Sequence, residues 1–139
     1  MEARPALFVD SSGWIGLLFQ RDENHQRARA VWVAMGKARA PLVTSSLVIA
    51  EVHAFLLSRM GHLQAQRFLR SALDGDAAEL VWVDADLASD AAEGWVYRRP
   101  DRTFSLTDAV SFEIMTRRGL HQVFSFDRDF ERAGFKLLK

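Results

Sequence analysis

Apolar and polar positions along the 139-residue chain fall into short blocks that alternate between a strand-like and a helix-like period. ALFVD (6–10) is a brief apolar run closed by an acid, the pattern of a strand buried on both faces of a parallel sheet. Ser11 or Ser12 is placed to cap a helix over 12–20, RDEN marks a break, and Ala28, Val31, Trp32 and Met35 recur at helical spacing within 24–38. After Pro41, LVT predicts a second strand, and Ser45 or Ser46 caps a helix that stops near Gly61. HLQAQRFLRSALDG follows as an amphipathic helix, ELVWVD (79–84) as a third strand, and DLASDAAEGWVYRR as a helix broken by Pro100. SLTDAVSFEIMTRRG (105–119) reads as a helix closed by Gly119, HQVFSF (121–126) as a fourth strand, DRDFERAG as a last short helix, and KLL as an edge strand.

Strands alternating with helices predict an α/β fold in three layers, α/β/α, around a central, mainly parallel sheet of four to five strands. No repeat or linker divides the chain, so residues 1–139 are expected to form a single domain. Four tryptophans, Trp14, Trp32, Trp82 and Trp95, fall within apolar patterns and are expected in the core or at an interface.

Charge adds little directional pull, because eighteen basic residues balance eighteen acidic ones. Any anionic partner must therefore be gripped locally. The chain has no cysteine, which excludes disulfides and thiolate metal sites and fits a reducing cytoplasm. MEARPALFVD carries no signal-type apolar segment, and no apolar run approaches the roughly 18 residues that span a bilayer, so a soluble, intracellular protein without membrane attachment is expected.

Ligands of open parallel sheets bind beyond the carboxyl ends of the strands, which makes acids emerging there candidates for chemistry. Asp10 and Asp127 each close a predicted strand, Asp108 lies in the first turn of the helix before strand four, and Glu51 sits in LVIAEVHAFLL (47–57), a run with no obvious watery face. Brought together, four carboxylates would repel, each pair at about 5 Å by about 3 kcal/mol. A hard divalent cation relieves that, and oxygen ligands without cysteine or a paired histidine suit Mg²⁺ or Mn²⁺. Asp129 is a fifth candidate ligand, and Ser12 and Ser125 are placed to orient a carboxylate. Each has a structural reading too: Asp108 in a capping box, Asp127 as a cap, Asp10 as a turn residue, Glu51 in a buried pair with arginine. His25, His53, His62 and His121 lack ligand spacing, and Asp84 reads as a helix start.

The strings FVDSSGW, TSSLVIAEVHAFL, FSLTDAVSFEIM and VFSFDRDF stand in the order and approximate spacing of the PIN-domain family, and the chain resembles VapC-type toxins of bacterial toxin-antitoxin pairs over essentially its whole length. The resemblance implies that Asp10, Glu51, Asp108 and Asp127 are the catalytic, metal-holding acids, that Asp129 is the second acid of the last motif, and that Ser12 is the small hydroxyl residue following the first acid. It implies one or two Mg²⁺ or Mn²⁺ ions, an RNA substrate, a small antitoxin laid over the groove beside the acids, and a homodimer. Val31, Trp32 and Met35, or Phe55 and Leu56, are candidate surfaces for such partners, with burial in the chain's own core as the alternative. Arg98, Arg99, Arg102 and Arg128 are the local choices for phosphate contacts.

The expected activity is thus metal-dependent hydrolysis of RNA phosphodiesters. Two other classes compete. A catalytically degenerate PIN-like module would act through protein contacts alone, and a phosphatase would use Asp10 as nucleophile. VDSSG lacks the second acid of the DxD pattern that the latter chemistry uses.

Overall fold

A computed structural model describes residues 5–101 and 103–139, which leaves the candidate phosphate contact Arg102 outside the described residues. Strands β1 (Leu7–Val9), β2 (Leu42–Ser45), β3 (Glu79–Val81), β4 (Gln122–Phe124) and β5 (Lys136–Leu138) form one sheet in the order β3-β2-β1-β4-β5, every pair parallel. The helices are α1 (Ser11–Leu18), α2 (His25–Ala38), α3 (Ser46–Met60), α4 (His62–Leu73), α5 (Ala85–Ala91), α6 (Leu106–Arg118) and α7 (Asp129–Arg132). This is the expected α/β architecture, with KLL as the edge strand and all five strands parallel.

The order places a reversal at the middle of the sheet. From β1 the chain builds outward through β2 to β3, and it then returns to the other side of β1 to lay down β4 and β5. The crevice above the β1–β4 pair is therefore the topological switch point, where open α/β sheets hold their ligands. Leu7, Phe8 and Val9 are all buried, as a central strand covered on both faces requires. Phe112 of α6 anchors one side of the core, meeting Phe130 edge-to-face at 5.0 Å and Trp95 at 5.1 Å. Leu56 and Met35 are buried in this core, with Val31, Trp32 and Phe55 packed partly against it. The alternative of burial in the chain's own fold thus holds for the first two.

Apart from Glu51, four details depart from the sequence reading. The residue preceding α1 is Asp10, not a serine; it makes no N-cap bond of the usual kind, and its carboxylate is met by the backbone and hydroxyl of Ser11 and the hydroxyl of Ser12. The β3 ladder ends at Val81, opposite Ser45, because the next backbone donor, Val83 N–H, turns to Ser46 Oγ at 3.0 Å and Asp84 caps α5 through Leu87 N–H at 2.8 Å. Trp82 is consequently not a core tryptophan: it stands 67% exposed just past the strand. Finally, α5 widens into a π-helical segment, Ala92–Tyr97, before the break at Pro100.

Glu51 is the most consequential departure. It is exposed, not buried, because α3 has an outer strip made of Ala50, Glu51, Ala54, Leu57 and Ser58. Its charge is accounted for by water, and the buried pair with arginine is excluded.

Helix α1 starts hard against the end of β4. A Cβ on Gly13 would lie 2.4 Å from the Phe124 carbonyl oxygen, a backbone atom that cannot swing away. Gly13→Ala is expected to cost about 1–3 kcal/mol of stability, the usual penalty of overpacking, measured by denaturant unfolding. An unchanged midpoint would show that the helix start is free to shift.

Candidate metal centre

Parallel pairing fixes which residues meet above the sheet. Phe8 pairs with Val123 and Val9 with Phe124, so the next residues in register are Asp10 and Ser125. Asp10 N–H donates to the Phe124 carbonyl at 3.1 Å, which ties the acid to the end of β4. Ser125 Oγ donates to Asp10 Oδ2 at 2.8 Å, Ser12 Oγ stands 3.2 Å from the same oxygen and 3.0 Å from Ser125 Oγ, and Ser11 Oγ reaches Asp10 Oδ1 at 3.4 Å. Both inner hydroxyls are themselves fixed: Ser12 Oγ accepts from Phe126 N–H at 2.8 Å and Ser125 Oγ from Asp127 N–H at 3.0 Å. Asp10, only 2% exposed, is thus held in one orientation by donors from two segments 113 residues and more apart.

Burial pushes the Asp10 carboxyl above the ordinary carboxylate range, against the pull of the Ser125, Ser11 and Ser12 hydrogen bonds, and the charge of Asp127 adds to the rise. Its neighbour Asp108 arrives on the first turn of α6, where Ser105 Oγ caps the helix by accepting from Asp108 N–H at 3.1 Å. The N-cap half of the capping-box reading is thus present at Ser105, whose hydroxyl also hydrogen-bonds the Asp108 carboxylate. Burial first, then the charges of Asp10 and Asp127, push Asp108 up to about 7, with the Ser105 hydroxyl opposing and Asp129 adding. Asp127 caps α7 from outside, accepting from Asp129 N–H at 2.9 Å.

Carboxylate oxygens of Asp108, Asp127 and Asp129, all half-buried, lie within 4.8 Å of one another. Such crowding is electrostatically unfavourable without a counter-charge. The donor set is wholly oxygen, which fits a hard dication, and no histidine joins it among the described residues. Asp129 is partly compensated already, by an ion pair to Arg132 Nη1 at 2.6 Å.

The structure therefore brings Asp10, Asp108, Asp127 and Asp129 to the switch point, but Glu51 is not a member of the close group. It lies in the second turn of α3, whose first residue follows Ser45, the neighbour of Asp10 across β1 and β2. Among the cations expected to meet phosphate, Arg128 is exposed between Asp127 and Asp129 and forms no ion pair among the described residues, and Arg98 is also exposed. Arg99 is engaged otherwise, its guanidinium 4.5 Å from the centre of the Trp95 ring. His25 packs through Nδ1 against the Gly16 carbonyl at 2.8 Å, a structural contact. Sequence reasoning missed Ser11 as a third hydroxyl on Asp10; DSSG, with its run of small hydroxyls after a strand-end acid, carried that signal.

A model of the PIN domain matches residues 7–136. The chain is 35% identical over 130 residues to the 23S rRNA-specific endonuclease VapC20 of Mycobacterium tuberculosis, covering 93% of this chain and 95% of that protein. The crystal structure of M. tuberculosis VapC20, described as a sarcin-ricin loop cleaving toxin, superposes with a TM-score of 0.83 at 32% identity over 94% of this chain and 96% of that one. FitAcB of Neisseria gonorrhoeae shares the fold at a TM-score of 0.64 and 15% identity, over 96% of both chains. With an acid-lined crevice at the switch point of a five-stranded parallel sheet, and a family match spanning nearly all of that sheet, the chain belongs to the PIN domain family.

Proposed function

We propose that the chain is an endoribonuclease of toxin type that hydrolyses RNA phosphodiester bonds, with bacterial 23S rRNA the first substrate to test. The observation that carries this reading is the gathering of buried Asp10 with Asp108, Asp127 and Asp129 at one end of the sheet, in a chain 35% identical to an rRNA endonuclease. Asp108, Asp127 and Asp129 would hold Mg²⁺ or Mn²⁺, with Asp10 behind them. Glu51 would contribute from its exposed position on α3 through a water. A dication bound there neutralises charge on the phosphoryl group and makes water a better nucleophile at neutral pH.

The protein's own groups supply position. Asp10 is locked by Ser125 and Ser12, and Asp127 and Asp129 are placed by the first turn of α7, so a phosphate entering the crevice meets a fixed set of oxygens. Water attacks phosphorus, the phosphorus–oxygen bond of the chain breaks, and the leaving oxygen takes up a proton. The described residues offer no better nucleophile: Ser12 and Ser125 spend their hydroxyls on Asp10.

A small antitoxin presenting a basic residue to the acids, a homodimeric assembly and a cytoplasmic place of action complete the reading. Among the described residues no helix is long and apolar enough to cross a membrane. The competing view, a degenerate module acting by protein contacts, is disfavoured by the assembled acids.

The test is incubation of purified protein with total bacterial RNA in Mg²⁺ or Mn²⁺, with and without EDTA. Discrete cleavage that EDTA stops is the expected result, and Glu51→Gln is expected to slow it by about 10- to 100-fold, as for a group that acts on the ion through water. Intact RNA under all conditions would favour the module, and cleavage undiminished by EDTA would remove the metal.

A further inference from the structure

We propose that Trp82 is a stacking platform for an unpaired base of the substrate, a subsite beside the acid crevice; the inference rests on the RNA reading above. The other three tryptophans are covered wholly or in part: Trp14 is 4% exposed, and Trp32 and Trp95, partly buried, pack against the core. Trp82 leaves 67% of its surface in water. An indole so exposed on a fixed backbone forgoes burial that its neighbours obtain.

Its backbone is fixed. Val81 closes the β3 ladder against Ser45, Val83 N–H is bonded to Ser46 Oγ, and Asp84 caps α5, so Trp82 sits between anchored residues on both sides. Its place is also set by register. Carrying the pairing Phe8↔Val43 two residues on puts Asp10 beside Ser45, and Ser45 pairs with Val81. Trp82 therefore emerges from the same end of the sheet as Asp10, two strand spacings away, or about 10 Å. That distance is about three stacked nucleotide steps of about 3.4 Å.

The charge balance gives the platform a purpose. With eighteen basic and eighteen acidic residues, the chain has no net field to draw a polyanion, and its crevice is itself acidic. Grip on RNA must then come from contacts that do not depend on net charge. Base stacking on an aromatic ring is such a contact, and it tolerates any base. Stacking also selects substrates with an unpaired, splayed base near the cleaved bond, because a base inside a helix offers no free face.

The experiment compares wild type, Trp82→Phe and Trp82→Ala in two assays. In the first, oligouridylate is titrated in EDTA while tryptophan fluorescence is followed. Quenching is expected in the wild type and lost in W82F, with affinity, read by anisotropy of labelled oligomer, kept within about twofold in W82F and lowered about tenfold or more in W82A. In the second, cleavage of a transcript of the sarcin-ricin loop is followed with Mg²⁺ or Mn²⁺. W82A should raise KM about tenfold at unchanged kcat. Equal affinity and equal KM in all three proteins would overturn the platform while leaving the ribonuclease reading intact. Trp82-dependent binding without cleavage would overturn the ribonuclease reading and leave the platform. A change in oligomeric state of W82A by light scattering would also overturn it, by making Trp82 a protein contact.

Discussion

Asparagine at position 10 is expected to abolish RNA cleavage, by about a thousandfold or more, and to leave a folded protein whose melting temperature in EDTA is equal to or above that of the wild type. The loss follows from the place of Asp10 behind the group formed by Asp108, Asp127 and Asp129: it acts electrostatically on Asp108 and is held by Ser125 and Ser12 toward the crevice. Removing that charge weakens ion binding and the stabilisation of charge in the transition state together, and several kcal/mol of such stabilisation corresponds to about a thousandfold in rate. The retained fold follows from the same burial. An ionised carboxylate 2% exposed is costly, as its raised pKa records, and the neutral amide removes that cost while keeping the shape. The surrounding hydroxyls can rotate to accept from the amide N–H groups. Circular dichroism melts and RNA cleavage on the same preparation check both halves. Wild-type cleavage by D10N would remove Asp10 from the site, and an unfolded D10N would make its role structural.

The parts of this site that were legible in the sequence are those where an acid coincides with the end of an element. Asp10 and Asp127 follow apolar runs that are strands, and Asp108 stands three residues after the serine that caps α6. Their convergence could be anticipated because parallel strands put all such ends on one side of the sheet. The exposure of Glu51 was not legible because hydropathy treats alanine and leucine as interior residues, whereas Ala50, Ala54 and Leu57 share its outer strip. That Trp82 lies outside the core was not legible, because VWV is equally apolar whether or not the ladder continues. What ends the strand is a pair of hydrogen bonds, from Val83 N–H to Ser46 and from Leu87 N–H to Asp84, one of which comes from a residue 37 positions away. The π-helical turn after Ala91 likewise has no marker in the local pattern; within it Trp95 packs on Phe104 and Phe112.

The acids at the switch point also make a prediction about stability that does not involve RNA. Asp108 has an ordinary pKa of 3.8 when unfolded and about 7 when folded without a cation. Between those values the folded state binds more protons than the unfolded state, so this group's contribution to unfolding free energy falls as pH rises from about 4 to about 7 and is then constant. A rise of that size is worth at most about 4 kcal/mol, and because Asp108 is only half-buried, solvent screening reduces it to about 1–2 kcal/mol. Asp108→Asn, measured in EDTA against the wild type, should therefore be more stable by about 1–2 kcal/mol at pH 8 and equal to it near pH 4. Comparing the two proteins at each pH cancels the carboxylates remote from the crevice, and the difference reports Asp108 together with its coupling to Asp10, Asp127 and Asp129. Adding Mg²⁺ or Mn²⁺ should act in the opposite order: at pH 8, above the Asp108 value of about 7, saturating cation stabilises the wild type by about 2–3 kcal/mol, whereas at pH 5 the proton held by Asp108 competes and the gain shrinks. In D108N the cation-induced shift should be small at both values. Thermal melts across pH, with and without the ion, check every arm. A wild type that melts at the same temperature with and without cation at pH 8 would mean that the crowded carboxylates are relieved by something other than a metal.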